Sequence, residues 1–322
     1  MPVVIPGEPV REDMVLPFQV EPYALRGRLV SLDAAVDAIV AVHAHPQPVA
    51  RLQAEMLALA PCLAGALKFD GVFTLQVSGN GPLRTLMADV TSNGSLRGYA
   101  ACDEDGVHRL VQTHGPRVPL SRLTGGGHMA FTVDQGRHAK RYQGIVALTG
   151  DGLVECTRAY FSNSEQLETD LTLAAARDET GAWRASALMV QRLPFAGGHG
   201  APPGVSEEEY DEGWRTALIL MGSCTPEELV DRTLTPEALL YRLFHETGVR
   251  VWPRQPVEAR CRCSAERVER VLRSLSDAEL RSMMQEGVVS VVCEFCKTER
   301  RYDAMALAEL GCDHPVSGRM LQ

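Results

Sequence analysis

Nine cysteines occur in 322 residues, and four fall into two close pairs near the C-terminus: Cys261-Arg-Cys263, a gap of 29 residues, then Cys293-Glu-Phe-Cys296. Two thiol pairs that a folded hairpin or helix can bring together form the donor set of a tetrahedral zinc site. The Cys-x-Cys spacing is tighter than the two to four residues that separate most paired zinc ligands. Each pair could also close on itself as a local disulfide. The same sulfurs could therefore hold a metal when reduced and release it when oxidised. One Zn²⁺ on Cys261, Cys263, Cys293 and Cys296 is the expectation. Arg260, Arg262 and Lys297 border these positions, and their charge is expected to favour thiolates and so attack on an oxidant. Oxidation would pass through a sulfenic acid that the adjacent cysteine captures. Cys312 and His314 could compete as ligands, but four better-spaced thiols already complete a tetrahedron. Cys62, Cys102, Cys156 and Cys224 are read as buried small residues. A plain zinc ribbon stapling the C-terminus is the bland alternative.

Composition limits the rest. An apolar fraction of 45% supports a real core, and the length suggests two units. A formal charge of −9 argues against a nucleic-acid partner. No run approaches the roughly 18 apolar residues of a membrane span, and the start does not read as a signal peptide. A cytoplasmic location is expected, where cysteines serve metal or redox chemistry more often than structural disulfides. No Gly-x-x-x-x-Gly-Lys-Ser/Thr loop is present, so no ATP-driven cycle is expected. Gly125-Gly126-Gly127 reads as a strand-entry turn, and Ser164-Glu165-Gln166 as a helix surface rather than a catalytic group. The chain is not expected to be an enzyme.

The elements that must position the thiols form an α+β fold. It is expected to comprise an N-terminal antiparallel sheet domain with covering helices (1–195, with a Pro-rich tail over 1–23), a helical linker (196–256) and a small four-cysteine zinc domain (257–322). Helical spacing runs from Asp33 to Leu67, broken at His45-Pro46 and Pro48. Strands are predicted over Val72–Val77, Leu83–Val90, Leu96–Ala101, His128–Val133, Tyr142–Leu148, Leu171–Ala176 and Ala185–Arg192, with a helix over Leu153–Gln166. Asn93-Gly94 supplies a tight hairpin turn. These add up to one sheet covered on one side. The stretch Pro194–Pro203 marks a boundary. Beyond it, Thr225-Pro226-Glu-Glu228 and Thr235-Pro236-Glu237 carry helix-start signals. Ser264 and Ser276-x-x-Glu279 cap two more helices, Gly287 stops the second, and Val288–Val292 reads as a strand delivering Cys293. A module of about 65 residues gains only about 3–5 kcal/mol from its core, against about 10–16 kcal/mol from structural zinc. Losing the metal should unfold it.

Several motifs resemble one family, the redox-regulated zinc chaperones called heat-shock protein 33 or 33 kDa chaperonin. Besides the cysteine pairs, they are Arg26-Gly-Arg28, Leu67-Lys-Phe-Asp-Gly71, Leu96-Arg-Gly-Tyr-Ala100, Arg141-Tyr-Gln-Gly-Ile-Val-Ala-Leu148 and Tyr160-Phe-Ser-Asn-Ser-Glu-Gln166. The resemblance runs from about residue 24 onward. Leu167-Glu168-Thr169 departs from it, since the family often has proline before the threonine. The resemblance implies an ATP-independent holdase, inactive when reduced and zinc-bound, that protects unfolding proteins under oxidative stress. It implies that oxidation pairs Cys261 with Cys263 and Cys293 with Cys296, expels zinc, and unfolds the module and linker. It further implies unfolded proteins as clients and dimerisation of the activated form. Trp214, Leu218, Ile219, Leu239, Leu240, Leu243 and Phe244 are the expected client-binding residues, packed until the linker is released. Two rival functions remain open. A thiol–disulfide oxidoreductase would use Cys293-x-x-Cys296. A zinc-ribbon nucleic-acid binder would use Arg260, Arg262, Arg267, Arg270 and Arg273.

Overall fold

The sequence Gln47–Ala64 is apolar around its circumference except at Gln47, Arg51, Gln53 and Glu55, and 15 of its 18 residues are buried. A helix with so little polar surface must be covered almost all round, and this one lies between two sheets. The computed structural model describes residues 13–23, 25–67, 69–136, 141–165, 167–192 and 205–310. The predicted boundary at 194–203, Gln166, Cys312, His314 and most of the Pro-rich tail lie outside them. The chain divides between Arg260 and Cys261 into two units.

In chain order the first unit comprises β1 (Met14–Val20), β2 (Leu25–Leu32), α1 (Ala34–Val40), α2 (Gln47–Ala64), β3 (Val72–Gly79), β4 (Leu83–Thr91) and β5 (Ser95–Cys102). It continues with α3 (Glu104–His114), α4 (Leu120–Thr124), β6 (Gly127–Asp134), β7 (Tyr142–Ala147), α5 (Leu153–Tyr160), β8 (Thr169–Arg177) and β9 (Trp183–Arg192). It closes with α6 (Glu207–Gly222), α7 (Pro226–Leu229), α8 (Pro236–Phe244), β10 (Val249–Val251), β11 (Gln255–Pro256) and β12 (Glu258–Ala259). One sheet runs β10-β1-β2-β9-β8, with β11 also on β1, and the other β12-β5-β4-β3-β6-β7. Pairing is antiparallel except between β12 and β5.

The fold is α+β with antiparallel sheets, but the first unit has two sheets where the sequence pattern suggested one. The reason is α2, whose small Ala residues let strands of both sheets approach it. The predicted tail also contains a buried strand, β1. Pro17 hides it, because proline within an apolar run argues against an inner strand. Here Pro17 falls in the break between β10 and β11, which pair with β1 on either side of it. Its carbonyl accepts from the Trp252 backbone N–H at 3.0 Å, so the ring sits where the missing donor interrupts no ladder.

Alternation along β1 and β2 builds two cores. Val15, Val30 and Leu32 face α2, whereas Met14, Leu16, Phe18, Val20, Leu25 and Leu29 face the other way. That second face is covered by α6 to α8, the predicted linker. Leu239, Leu240, Leu243 and Phe244 are buried there, and Trp214 packs against the cluster. The Phe18 and Phe244 rings stack 5.7 Å apart. A Cβ on Gly27 would come within 2.0 Å of the Phe18 ring, which explains the glycine of Arg26-Gly-Arg28. Ile219 corrects the sequence reading: it is 73% exposed. The buried stripe of α6 is Tyr210, Gly213, Ala217 and Met221, and Ile219 lies on its solvent side. Leu218 is half-buried.

Candidate metal centre

The second unit orders little more than what holds its sulfurs. Its elements are α9 (Ala265–Leu272), α10 (Asp277–Met283), β13 (Met284–Gln285), β14 (Val288–Val292), β15 (Glu299–Asp303) and α11 (Ala304–Glu309). Ser264 accepts from the Arg267 backbone N–H, which starts α9 directly after the Cys261–Cys263 segment. Ser276 and Glu279 form a full capping box on α10. Gly287, at φ 82°, turns the chain into β14. The buried core is Leu272, Leu280, Val289, Tyr302 and Leu307.

β14 delivers Cys293 to a tight turn. The Cys293 carbonyl accepts from the Lys297 N–H at 2.8 Å, and the Cys293 N–H donates to the Thr298 carbonyl at 3.0 Å. Lys297 takes the left-handed conformation, φ 55°, which sends the chain back along β15. All four sulfurs lie within 4.8 Å of one another. The Cys261 and Cys293 sulfurs are 3.8 Å apart and the Cys263 and Cys296 sulfurs 3.4 Å apart. A tetrahedron with metal–sulfur bonds of about 2.3 Å has edges of about 3.8 Å. The donor set thus fits a thiophilic divalent ion, and it is the one such cluster among the described residues.

Electrostatics support that fit. Burial, then the neighbouring thiols, push Cys263 up to about 12, and burial also raises Cys261. Cys296 is held down at about 6: burial opposes ionisation, but hydrogen bonds with Thr298 and the adjacent thiols outweigh it. Thiols this close share protons, so one ionises at the expense of its neighbours. A bound cation would let all four become thiolates. Arg300 donates to the Cys263 sulfur at 3.7 Å, and Thr298 Oγ1 lies 3.2 Å from the Cys296 sulfur. The sequence reading named Arg260, Arg262 and Lys297 instead and missed both contacts. Their signal was the return of the chain after the turn, which brings residue 298, just before β15, and its alternate 300, within β15, back beside the sulfurs.

The remaining cysteines lie in the first unit. Cys62, Cys156 and Cys224 are buried. Burial pushes Cys62 up to about 12 and, with Glu104 and Asp103, Cys102 to about 11. Neither is primed as a nucleophile. Of the expected client-contact residues, Trp214, Leu239, Leu240, Leu243 and Phe244 belong to the first unit's second core, Leu218 and Ile219 do not, and none is part of the thiol site.

A model of the Hsp33 protein family matches residues 13–303. The chain belongs to the Hsp33 family. Among relatives, the 33 kDa chaperonin of Caulobacter vibrioides is 36% identical over 304 residues, covering 93% of this chain and 98% of the relative. That of Ectopseudomonas mendocina is 40% identical over 288 residues, covering 89% and 90%. The solved 33 kDa chaperonin of Thermotoga maritima matches with a TM-score of 0.74 at 22% identity, over 93% of this chain and 97% of that one, which shows the shared fold. Chaperone family membership accounts for a chain whose main constellation is a thiol cluster outside any oxidoreductase-like βαβ unit. Cys293-x-x-Cys296 sits instead in an antiparallel hairpin. No helix among the described residues is long and apolar enough to cross a membrane.

Proposed function

We propose that this chain is an ATP-independent holdase of the cytoplasm, locked when its four thiols are reduced and released when they are oxidised. The observation that carries this is the convergence of four sulfurs within 4.8 Å in a unit with five buried core residues. Cys261, Cys263, Cys293 and Cys296 would hold one Zn²⁺. Bound there, the ion supplies about 10–16 kcal/mol of folding free energy, more than so small a core provides.

Under hypochlorous acid, each cysteine pair gives up two protons and two electrons and gains one sulfur–sulfur bond. The oxidant leaves as chloride and water. Family resemblance supports pairing Cys261 with Cys263 and Cys293 with Cys296, which removes all four donors from the metal. The second unit then loses its main stabilisation, and the segment leading into it loosens. Freeing α6 to α8 uncovers Leu16, Phe18 and Val20 on the sheet and Leu240, Leu243 and Phe244 on α8. Each is worth about 1.5–3 kcal/mol when buried, enough for an apolar surface that grips unfolded polypeptides. Glu207, Glu208 and Glu209 keep the released segment hydrated. Association of two activated copies would follow from the same exposed surface.

Oxidant titration tests this, with zinc release, far-UV circular dichroism and suppression of client aggregation followed together. The three are expected to move in step. Oxidised protein that keeps its zinc and does not restrain aggregation would overturn the proposal.

A further inference from the structure

The second sheet ends on β7, and no strand among the described residues pairs with its outer side. The register with β6 identifies the backbone groups left over. Leu148 donates to the Gly127 carbonyl at 3.0 Å, and the pairing continues as Met129 with Val146, Phe131 with Gly144 and Val133 with Tyr142. In an antiparallel ladder, hydrogen-bonded and open pairs alternate. Tyr142, Gly144 and Val146 therefore point their N–H and C=O groups at β6. Gln143, Ile145 and Ala147 point theirs outward.

Edges of this kind are normally blunted by charge, proline, a bulge or a cover. Tyr142-Gln-Gly-Ile-Val-Ala147 contains no charge and no proline, and its register is unbroken. Ile145 is 57% exposed and Tyr142 50%. The outer strand of the first sheet shows the contrast. On β8, Asp170 accepts from the Leu171 N–H, and Arg158 donates to the Leu171 carbonyl at 3.5 Å, so side chains occupy that edge.

We propose that β7 is a second client-contact element, to which an extended, uncharged segment of an unfolded polypeptide adds as a further strand. The complementarity is specific to backbone: three consecutive outward residues offer alternating donors and acceptors at strand spacing, and pairing of this kind is an established mode of peptide capture. The uncharged edge and the exposed Ile145 favour apolar, β-prone segments, the ones that otherwise stack into aggregates. The inference rests on the holdase reading. One short edge alone binds weakly. Joined with the apolar surface freed by oxidation it gains the roughly 10²–10⁴-fold of two linked contacts. This leaves the reduced chain idle even though β7 is already exposed.

The test uses the oxidised full-length protein with a guanidinium-unfolded client protein diluted into it. Amide hydrogen exchange should slow at Gln143, Ile145 and Ala147, and stay unchanged at Tyr142, Gly144 and Val146, which are already bonded. Ile145→Pro removes one outward donor and no ladder bond. It should require about tenfold more chaperone for equal suppression, with zinc release and reduced-state circular dichroism unchanged. Ile145→Lys, which keeps every backbone group, is the second variant should the proline disturb folding, and the same loss is expected. Wild-type suppression by both variants, with no slowed exchange at the outward residues, would refute the role of β7 while leaving the holdase intact. Slowing that appears without client and grows with chain concentration would assign the edge to a second copy and equally overturn it. Oxidised wild-type protein that suppresses nothing would remove both readings.

Discussion

Replacing Phe244 by alanine should release the linker without any oxidation. Its side chain is fully buried, stacks on Phe18, and belongs to the cluster between the first sheet and α6 to α8. Truncating a buried phenylalanine costs about 3–5 kcal/mol. The four buried side chains of α8 together contribute about 6–12 kcal/mol of gross burial, an upper bound before chain ordering is subtracted. One substitution thus removes a large part of what holds α8 down. At about 1.4 kcal/mol per tenfold, local opening should rise by roughly two to three and a half orders of magnitude. Hydrogen exchange on reduced, zinc-loaded protein reads this directly. Amides of α8 should lose protection while those of α2, on the opposite face of the sheet, keep theirs. The reduced variant should also suppress client aggregation while retaining full zinc content. Protection of α8 within about threefold of wild type would refute the argument that this burial holds the lock.

Chelating the metal from the reduced protein should abolish amide protection throughout the second unit, since its five-residue core cannot replace about 10–16 kcal/mol; a protected second unit after chelation would contradict this. Zinc uptake at pH 7 should release protons from Cys261 and Cys263, whose thiols lie above the ordinary range, and affinity should fall with pH; buffer-dependent calorimetry measures both. Although burial opposes it, the two-pronged contact with Arg254 holds the Glu237 carboxyl below the ordinary carboxylate range. Its contribution should be complete above the unfolded carboxylate value and vanish as pH falls through the lowered folded one; Glu237→Gln should flatten that limb and cost about 1 kcal/mol in denaturant unfolding. Gly27→Ala should destabilise by about 1–3 kcal/mol because its Cβ meets the Phe18 ring, whereas Gly222→Ala, with open space around it, should be neutral or slightly stabilising.

Features set by neighbours in sequence were legible; those set by distant partners were not. The caps at Thr225, Thr235, Ser264 and Ser276 are one-turn interactions, and each starts the helix that its residues specify. The hairpin at Asn93-Gly94 and the strand leading to Cys293 are equally local. The thiol site was readable because both pairs sit at element ends that local signals define. Arg300 escaped notice because its place beside Cys263 depends on the register between β14 and β15. β1 escaped because Pro17 is tolerable only at a break created by residues more than 230 positions away.

That same break bears on the switch. The segment entering the cysteine unit is tied to the first unit by β10, β11 and β12, which have three, two and two residues. Strands this short carry no strand signal of their own and gain little stability from their ladders. On the proposed mechanism they would be let go when the cysteine unit at their C-terminal end unfolds, so a poor signal in sequence and easy release would have one physical cause. A longer, β-branched run over 249–259 would have been easier to predict and harder to let go.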